Sequence, residues 1–124
     1  MDAKTPQRVS CAAARGLIAD AMLKSGVPQA DAAKIAELML EADLIGADAH
    51  GIFRLKQYVE RLKLGSTNAR PNITVNRTAP ATALVDGDNG MGHLVVAKAA
   101  ETAIAMARET GVAWVGCRMS GHAG

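Results

Sequence analysis

Apolar residues recur at helical spacing through the first half of the chain. Ile18 and Met22, four residues apart, indicate a first helix, and Ile35, Met39 and Ala42 indicate the apolar side of a second. Residues typical of helix ends bound these segments. The predicted starts and stops are Ser10 and Gly26 for the first helix, Pro28 and Gly46 or Asp48 for the second, and Gly51 and Gly65 for the third.

Short apolar runs separated by turn residues fill the second half and predict strands. The predicted elements are strands at 73–78 and 81–86, a turn at 86–90, an alanine-rich helix at 91–109 and a strand at 112–117. The last run is continuously apolar, as in strands that are buried on both faces. This order predicts an α/β fold, with a three-helix segment over 1–70 and a sheet-forming part over 71–124.

Composition narrows the class of protein. The 124 residues are 49% apolar and 21% charged with a net charge of +2, which is typical of a globular domain. Aromatic residues make up 2%, and no cluster of Lys and Arg accompanies them, so we expect no nucleic-acid partner. No apolar run approaches the roughly 20 residues of a membrane span, and Met1–Ser10 lacks a signal-peptide pattern. We therefore expect a cytoplasmic protein without a membrane partner, with Cys11 and Cys117 as reduced thiols.

His50 and Arg54 stand four residues apart around the start of the third predicted helix. If that helix begins by His50, both side chains project to the same side, about one turn apart. Arginine can bind a carboxylate through two parallel hydrogen bonds, and histidine can exchange a proton with a neighbouring oxygen. The pair suits a substrate with a carboxylate beside a carbonyl or hydroxyl group. The alternative is a histidine at a helix start and a solvated arginine.

His122 lies in the glycine-rich segment 120–124, directly after the last predicted strand. Ligands of α/β proteins often bind at the carboxyl ends of strands, so His122 is a candidate site residue; the alternative is an exposed loop histidine. His93 is expected to be half-exposed at the surface, and Trp114 is expected in the core. The three histidines have no metal-ligand spacing, so no metal site is predicted.

Four segments of the chain occur together in one order. They are ADLIG at 42–46, AHGIFRL at 49–55 followed by Tyr58, VDGDNGMG at 85–92 and RMSGHAG at 118–124. In this combination they resemble the malate/L-lactate dehydrogenase family, which also contains ureidoglycolate and sulfolactate dehydrogenases and a Δ1-piperideine-2-carboxylate reductase. The resemblance extends over nearly the whole chain.

The resemblance implies an NAD(P)-dependent oxidoreductase that interconverts 2-hydroxy acids and 2-oxo acids, or reduces related cyclic imines. It also implies a homodimer whose mixed-sheet cofactor domain is not a Rossmann fold, in agreement with the missing third glycine of a dinucleotide fingerprint after Gly90 and Gly92. By the same resemblance, Arg54 would bind the substrate carboxylate and His122 would act as acid/base. His50 would be the proton donor of the imine-reductase branch, and NAD or NADP would first be contacted at His122, Ala123 and Gly124.

Two features depart from the family pattern. Ala49 stands where family members often have serine, so a relay through that hydroxyl group is absent. Family chains are much longer than 124 residues, so we expect the sequence to continue beyond Gly124, the cofactor domain begun at residue 71 to be incomplete, and the activity of this chain alone to be low. The competing hypothesis is a small helical interaction module without catalysis.

Overall fold

A computed structural model describes residues 8–123. Met1–Gln7, where the absence of a signal peptide is predicted, and Gly124, a predicted cofactor contact, lie outside the described residues. The described elements are helices α1 (Cys11–Lys24), α2 (Gln29–Leu44), α3 (Leu55–Lys63) and α4 (Gly92–Thr110), strands β1 (Thr74–Ala79), β2 (Thr82–Gly90) and β3 (Trp114–Ser120), and two 3-10 turns, Asp48–His50 and Ile52–Arg54. The α/β class, with helices first and a mixed sheet after them, is confirmed.

Local capping chemistry sets the helix ends. The Ser10 hydroxyl accepts a hydrogen bond from the backbone N–H of Ala13 at 3.1 Å, as the sequence predicted for α1. Gly111 ends α4 in the left-handed conformation, with φ of 83°. The third helix differs from the prediction, because α3 begins at Leu55 and two 3-10 turns precede it.

The three strands form one mixed sheet in the order β1-β2-β3. β1 pairs antiparallel with β2, and β2 pairs parallel with β3, with α4 as the crossover between them. The predicted turn at 86–90 is wrong, because these residues continue β2. Their pairing with β3 is irregular: Asp88 and Asn89 have φ of 48° and 56°, a left-handed conformation that Asp and Asn tolerate better than most residues do. The same residue preferences that favour turns here allow an irregular strand.

β3 is much more exposed than the apolar run predicted. Trp114 is 71% exposed, so its expected place in the core is wrong. The reason is the position of β3 at the edge of the sheet within residues 8–123, where β2 is its one hydrogen-bonded neighbour. A continuous apolar sequence identifies a strand, but burial on both faces requires elements beside it.

The main core lies among the helices and includes the start of α4. Ile18 and Met22 of α1 and Ile35 and Met39 of α2 are fully buried there, and the same cluster contains Tyr58, Met91 and Leu94, among other residues. A second, smaller cluster of Val85, Val95 and Ala99 joins the sheet to α4. The boundary at residue 70 stays a prediction. Among the helices of residues 8–123, none combines the length and the apolar content that crossing a membrane requires.

Candidate functional site

The segment that carries His50 and Arg54 is shaped by a close contact at Gly51. The Asp43 carboxylate accepts a hydrogen bond from the backbone N–H of Ile52 at 2.9 Å. A side chain at position 51 would collide with that carboxylate, so the tight passage between the two 3-10 turns requires glycine. His50 ends the first turn and Arg54 ends the second, instead of sharing one α-helix.

Two neighbours hold the Arg54 side chain in place. Its Nε donates to the carbonyl oxygen of Ala49 at 2.8 Å, and its Nη1 donates to Oε1 of Gln57 at 3.0 Å. A guanidinium has five N–H groups, so these bonds orient Arg54 and leave donors for another acceptor. A planar, permanently charged group held in this way is suited to bind a carboxylate.

His122 meets two residues that lie far from it in the sequence. Its ring stacks on that of His50, with centroids 5.7 Å apart and 9° between the planes. Its Nδ1 lies 2.8 Å from the Tyr58 hydroxyl, a hydrogen bond between residues 64 positions apart. The structure therefore brings together His50 and His122, which are separate candidates in the sequence.

Glycines at the junction of β2 and α4 hold the His122 segment. The backbone N–H of Gly121 donates to the carbonyl oxygen of Gly90 at 2.9 Å. A Cβ at Gly92 would collide with the carbonyl groups of Gly121 and His122. Gly92 and Gly121 thus allow two backbones to pack directly on each other, which places His122 beside the helices.

Burial and positive charge shift the protonation of the cluster. Partial desolvation, followed by the charges of Arg54, His50 and Arg61, lowers the pKa of His122 below its ordinary value. Burial raises the pKa of the Tyr58 hydroxyl, and Arg54 and Arg61 partly oppose that rise. Both shifts favour neutral side chains, so the Tyr58 hydroxyl keeps its proton at neutral pH.

His93 is a third histidine of this region, and its expected surface position is wrong. It is 5% exposed, and its ring lies edge-to-face with Tyr58, with centroids 5.3 Å apart and 87° between the planes. Burial, with a further contribution from the charge of His122, lowers the pKa of His93 to about 4. No spacing pattern in the sequence marks His93 as a site residue, and Tyr58 is marked only by its place in a family motif. Among the described residues, no group of His, Cys, Asp and Glu side chains is arranged to hold a metal ion.

Ala123, a predicted cofactor contact, lines a cavity of about 270 Å³ between α2 and α4. The other walls are mostly apolar, with His93 and Glu41 as the polar groups; they are Leu38, Ala42, Ile45, Ala47, Val96, Ala97 and Ala100. No lysine or arginine lines the cavity. Such walls suit a flat, uncharged ring, whereas the phosphates of a dinucleotide would need groups from elsewhere.

Comparison with known proteins relates nearly the whole chain to one family. A family model described as malate/L-lactate dehydrogenase matches residues 9–124. L-Sulfolactate dehydrogenase of Methanocaldococcus jannaschii is 45% identical over 108 residues, which cover 87% of this chain and 31% of the relative. Ureidoglycolate dehydrogenase (NAD(+)) of Escherichia coli strain K12 is 35% identical over 108 residues, 87% of this chain and 31% of that protein.

Solved structures show the same relation in three dimensions. The malate dehydrogenase of Pyrococcus horikoshii superposes with a TM-score of 0.90 at 39% identity, over 95% of this chain and 34% of that one. The chain therefore spans about a third of the length of the relatives that it matches.

Proposed function

Because the chain belongs to the malate/L-lactate dehydrogenase family, we propose that it supplies the substrate-binding and proton-transfer groups of an NAD(P)-dependent oxidoreductase. The reaction interconverts 2-hydroxy acids and 2-oxo acids. The observation that carries the proposal is the cluster in which His122 contacts both His50 and Tyr58, with the Arg54 guanidinium near enough to lower the pKa of His122. Sulfolactate and ureidoglycolate, in the relatives' names, are 2-hydroxy acids, which supports this substrate class.

Arg54 is proposed to bind the substrate carboxylate, because its free N–H groups match two carboxylate oxygens. His122 is then proposed to exchange a proton with the neighbouring oxygen: it gives one to the carbonyl oxygen when a 2-oxo acid is reduced, and takes one from the hydroxyl group in the reverse direction. A bound nicotinamide cofactor supplies or accepts the hydride at the substrate carbon. The residues of this chain thus bind and orient the substrate and exchange a proton with its oxygen.

We prefer His122 to His50 as the acid/base, because one neighbour of His122 can fix its tautomer and its surroundings favour its neutral form. Tyr58 occupies its Nδ1 and leaves Nε2 for the substrate, while partial burial and then the charges of Arg54 and His50 lower its pKa and favour its neutral form. His50, stacked on it, is the alternative proton donor, as the imine-reductase branch of the family implies. The family match supports this enzyme over the small interaction module.

We propose that Ala123 and the apolar walls of the cavity beside His93 would hold part of a nicotinamide cofactor, which would supply the hydride chemistry. The absence of basic side chains in that lining leaves NAD and NADP as alternatives and implies that the phosphates are held by other groups. The homodimer and the cytoplasmic location stay predictions.

The test measures steady-state kinetics on the protein expressed from its complete reading frame, with 2-oxo acids and a reduced nicotinamide cofactor. His122→Ala should lower kcat by roughly 10²–10⁴-fold, the usual range for loss of a general acid–base, whereas His50→Ala should lower it less. Arg54→Lys should mainly raise KM for the 2-oxo acid, and Arg54→Ala should raise it further, because a two-pronged contact is lost.

Lys63→Ala is the matched control, since it removes an exposed positive charge from the same helix as Tyr58 and should leave both constants unchanged. If His122→Ala and His50→Ala both retain kcat within tenfold, the acid/base assignment is wrong. If no 2-oxo acid is reduced by the wild-type protein, the proposed activity itself is wrong.

A further inference from the structure

His93 is a buried titratable side chain that the proposed chemistry does not use. It lies in the first turn of α4 with 5% of its surface exposed, and its Nδ1 has no hydrogen-bond partner among the described residues. A buried polar atom without a partner loses its hydration and regains nothing, so an apolar side chain would fill this part of the core at lower cost. The contacts of the His93 ring therefore indicate why a histidine occupies this position.

The ring of His93 contacts Tyr58 in an edge-to-face arrangement, at 5.3 Å and 87°. Aromatic rings prefer such a geometry to a face-to-face one, so the contact favours one orientation of the Tyr58 ring. Tyr58 is 2% exposed, and its hydroxyl lies 2.8 Å from Nδ1 of His122. His93, Tyr58 and His122 thus form a continuous series of contacts from α4 through α3 to the segment after β3.

We propose that His93 is a positioning residue, whose ring orients Tyr58 so that the Tyr58 hydroxyl fixes the tautomer and the ring plane of His122. The inference rests on the proposed role of His122 as acid/base. When His122 takes a proton at Nε2, its Nδ1 must carry the other hydrogen, and that N–H needs an acceptor. The Tyr58 oxygen is this acceptor, and without it the productive tautomer loses its partner.

The electrostatics of the cluster fit a neutral ring at position 93. Partial burial, followed by the charges of Arg54, His50 and Arg61, already lowers the pKa of His122. Because burial keeps His93 uncharged at neutral pH, it orients Tyr58 without adding a further positive charge. Phe at position 93 preserves a neutral aromatic ring, whereas Leu preserves apolar bulk and removes the ring.

The experiment compares His93→Phe, His93→Leu and Tyr58→Phe in the protein expressed from its complete reading frame. We expect Tyr58→Phe and His93→Leu each to lower kcat about tenfold or more, as loss of a supporting contact typically does, with KM for the 2-oxo acid unchanged. Both should move the limb of the kcat–pH profile that reports His122 in the same direction. His93→Phe should restore most of the kcat that His93→Leu loses, and should restore the position of the kcat–pH limb, because it returns the ring that contacts Tyr58.

Two further measurements separate positioning from general loss of structure. In the Tyr58→Phe background, His93→Leu should have no additional effect on kcat, because its influence passes through the hydroxyl that is already absent. ¹⁵N NMR of labelled histidine should show the His122 ring nitrogens shifted by His93→Leu and Tyr58→Phe, but not by His93→Phe.

An unaltered kcat–pH profile in a folded His93→Leu variant would overturn the inference, and so would fully additive effects in the double variant. If His93→Leu does not fold, equal losses in His93→Phe and Tyr58→Phe would overturn it as well. The NMR arm does not depend on activity. An inactive wild-type protein with the expected nitrogen shifts would refute the proposed function and leave the positioning contact standing.

Discussion

Burial shifts the protonation of three side chains of the cluster towards their neutral forms, and nearby charge adds to that shift at His122 and His93. Burial and charge together lower the pKa of His122 and lower that of His93 to about 4, and burial raises that of Tyr58. All three groups are therefore biased towards their neutral forms beside Arg54. In the proposed reaction, a neutral His122 can accept a proton, and the Arg54 guanidinium can bind the substrate carboxylate.

The lowered pKa of His93 predicts an acid-dependent loss of stability. That pKa falls from 6.5 in the unfolded chain to about 4 in the fold, so the unfolded state binds more protons between those values. The contribution of His93 to the free energy of unfolding is fully present above pH 6.5 and is lost as the pH decreases towards 4. The loss is about 3 kcal/mol in all, because a difference of one in pKa corresponds to about 1.4 kcal/mol. Urea unfolding of wild type and His93→Phe at pH 7 and pH 4.5 measures this loss.

His93→Phe should lose less stability on acidification than wild type, because phenylalanine does not titrate. Asp86 also contributes an acid-dependent loss, since the backbone N–H of Asp88 and then the Arg118 side chain lower its pKa, but both proteins share that contribution. Equal changes in the free energy of unfolding would contradict the buried position of His93.

Elements whose ends depend on local chemistry could be predicted from the sequence. The Ser10 cap and the Gly111 stop act within a few residues, and the structure has both. The contact of Tyr58 with His122 could not be predicted from spacing, since it joins positions 64 apart through three separate elements. The exposure of Trp114 was missed for a related reason, because burial of a strand depends on its neighbours in the sheet.

Glycine has opposite roles in two of the elements. Gly16 lies exposed in the middle of α1, where an added Cβ meets nothing within 4 Å. Gly51 is buried between the 3-10 turns, and there an added Cβ collides with the Asp43 carboxylate. The same substitution should therefore have opposite effects at the two positions.

Gly16→Ala should stabilise the protein by about 0.5–1 kcal/mol, because alanine loses less backbone entropy in a helix. Gly51→Ala should destabilise it by about 1–3 kcal/mol, because Asp43 must give up its hydrogen bond to the Ile52 N–H. Urea unfolding at pH 7 measures both, and each variant is the control for the other. A neutral or stabilising Gly51→Ala would show that the Asp43 contact is not a constraint on the segment that carries His50.

The two ends of the sheet-forming part differ in burial. The start of α4 contributes Met91 and Leu94 to the helical core, so helices and sheet share one interior. β3 instead leaves apolar side chains in solvent, with Trp114 71% and Met119 58% exposed. An edge strand with exposed apolar residues can pair with other chains.

This exposed edge predicts that the 124-residue chain, made alone, self-associates through β3. Trp114→Lys should raise the fraction of monomer, because a charged side chain on an edge strand opposes pairing with another chain. Leu64→Lys is the matched control: Leu64 is 82% exposed at the end of α3 and is not part of β3, and its replacement should change association little. Sedimentation velocity over a range of concentrations measures the association, and Trp114, the single tryptophan, reports its own exposure by fluorescence.

If the wild-type chain is a monodisperse monomer with one cooperative melting transition, the β3 edge is tolerated in water and the prediction is wrong. If both Lys variants dissociate the chain equally, net charge and not the β3 surface controls association.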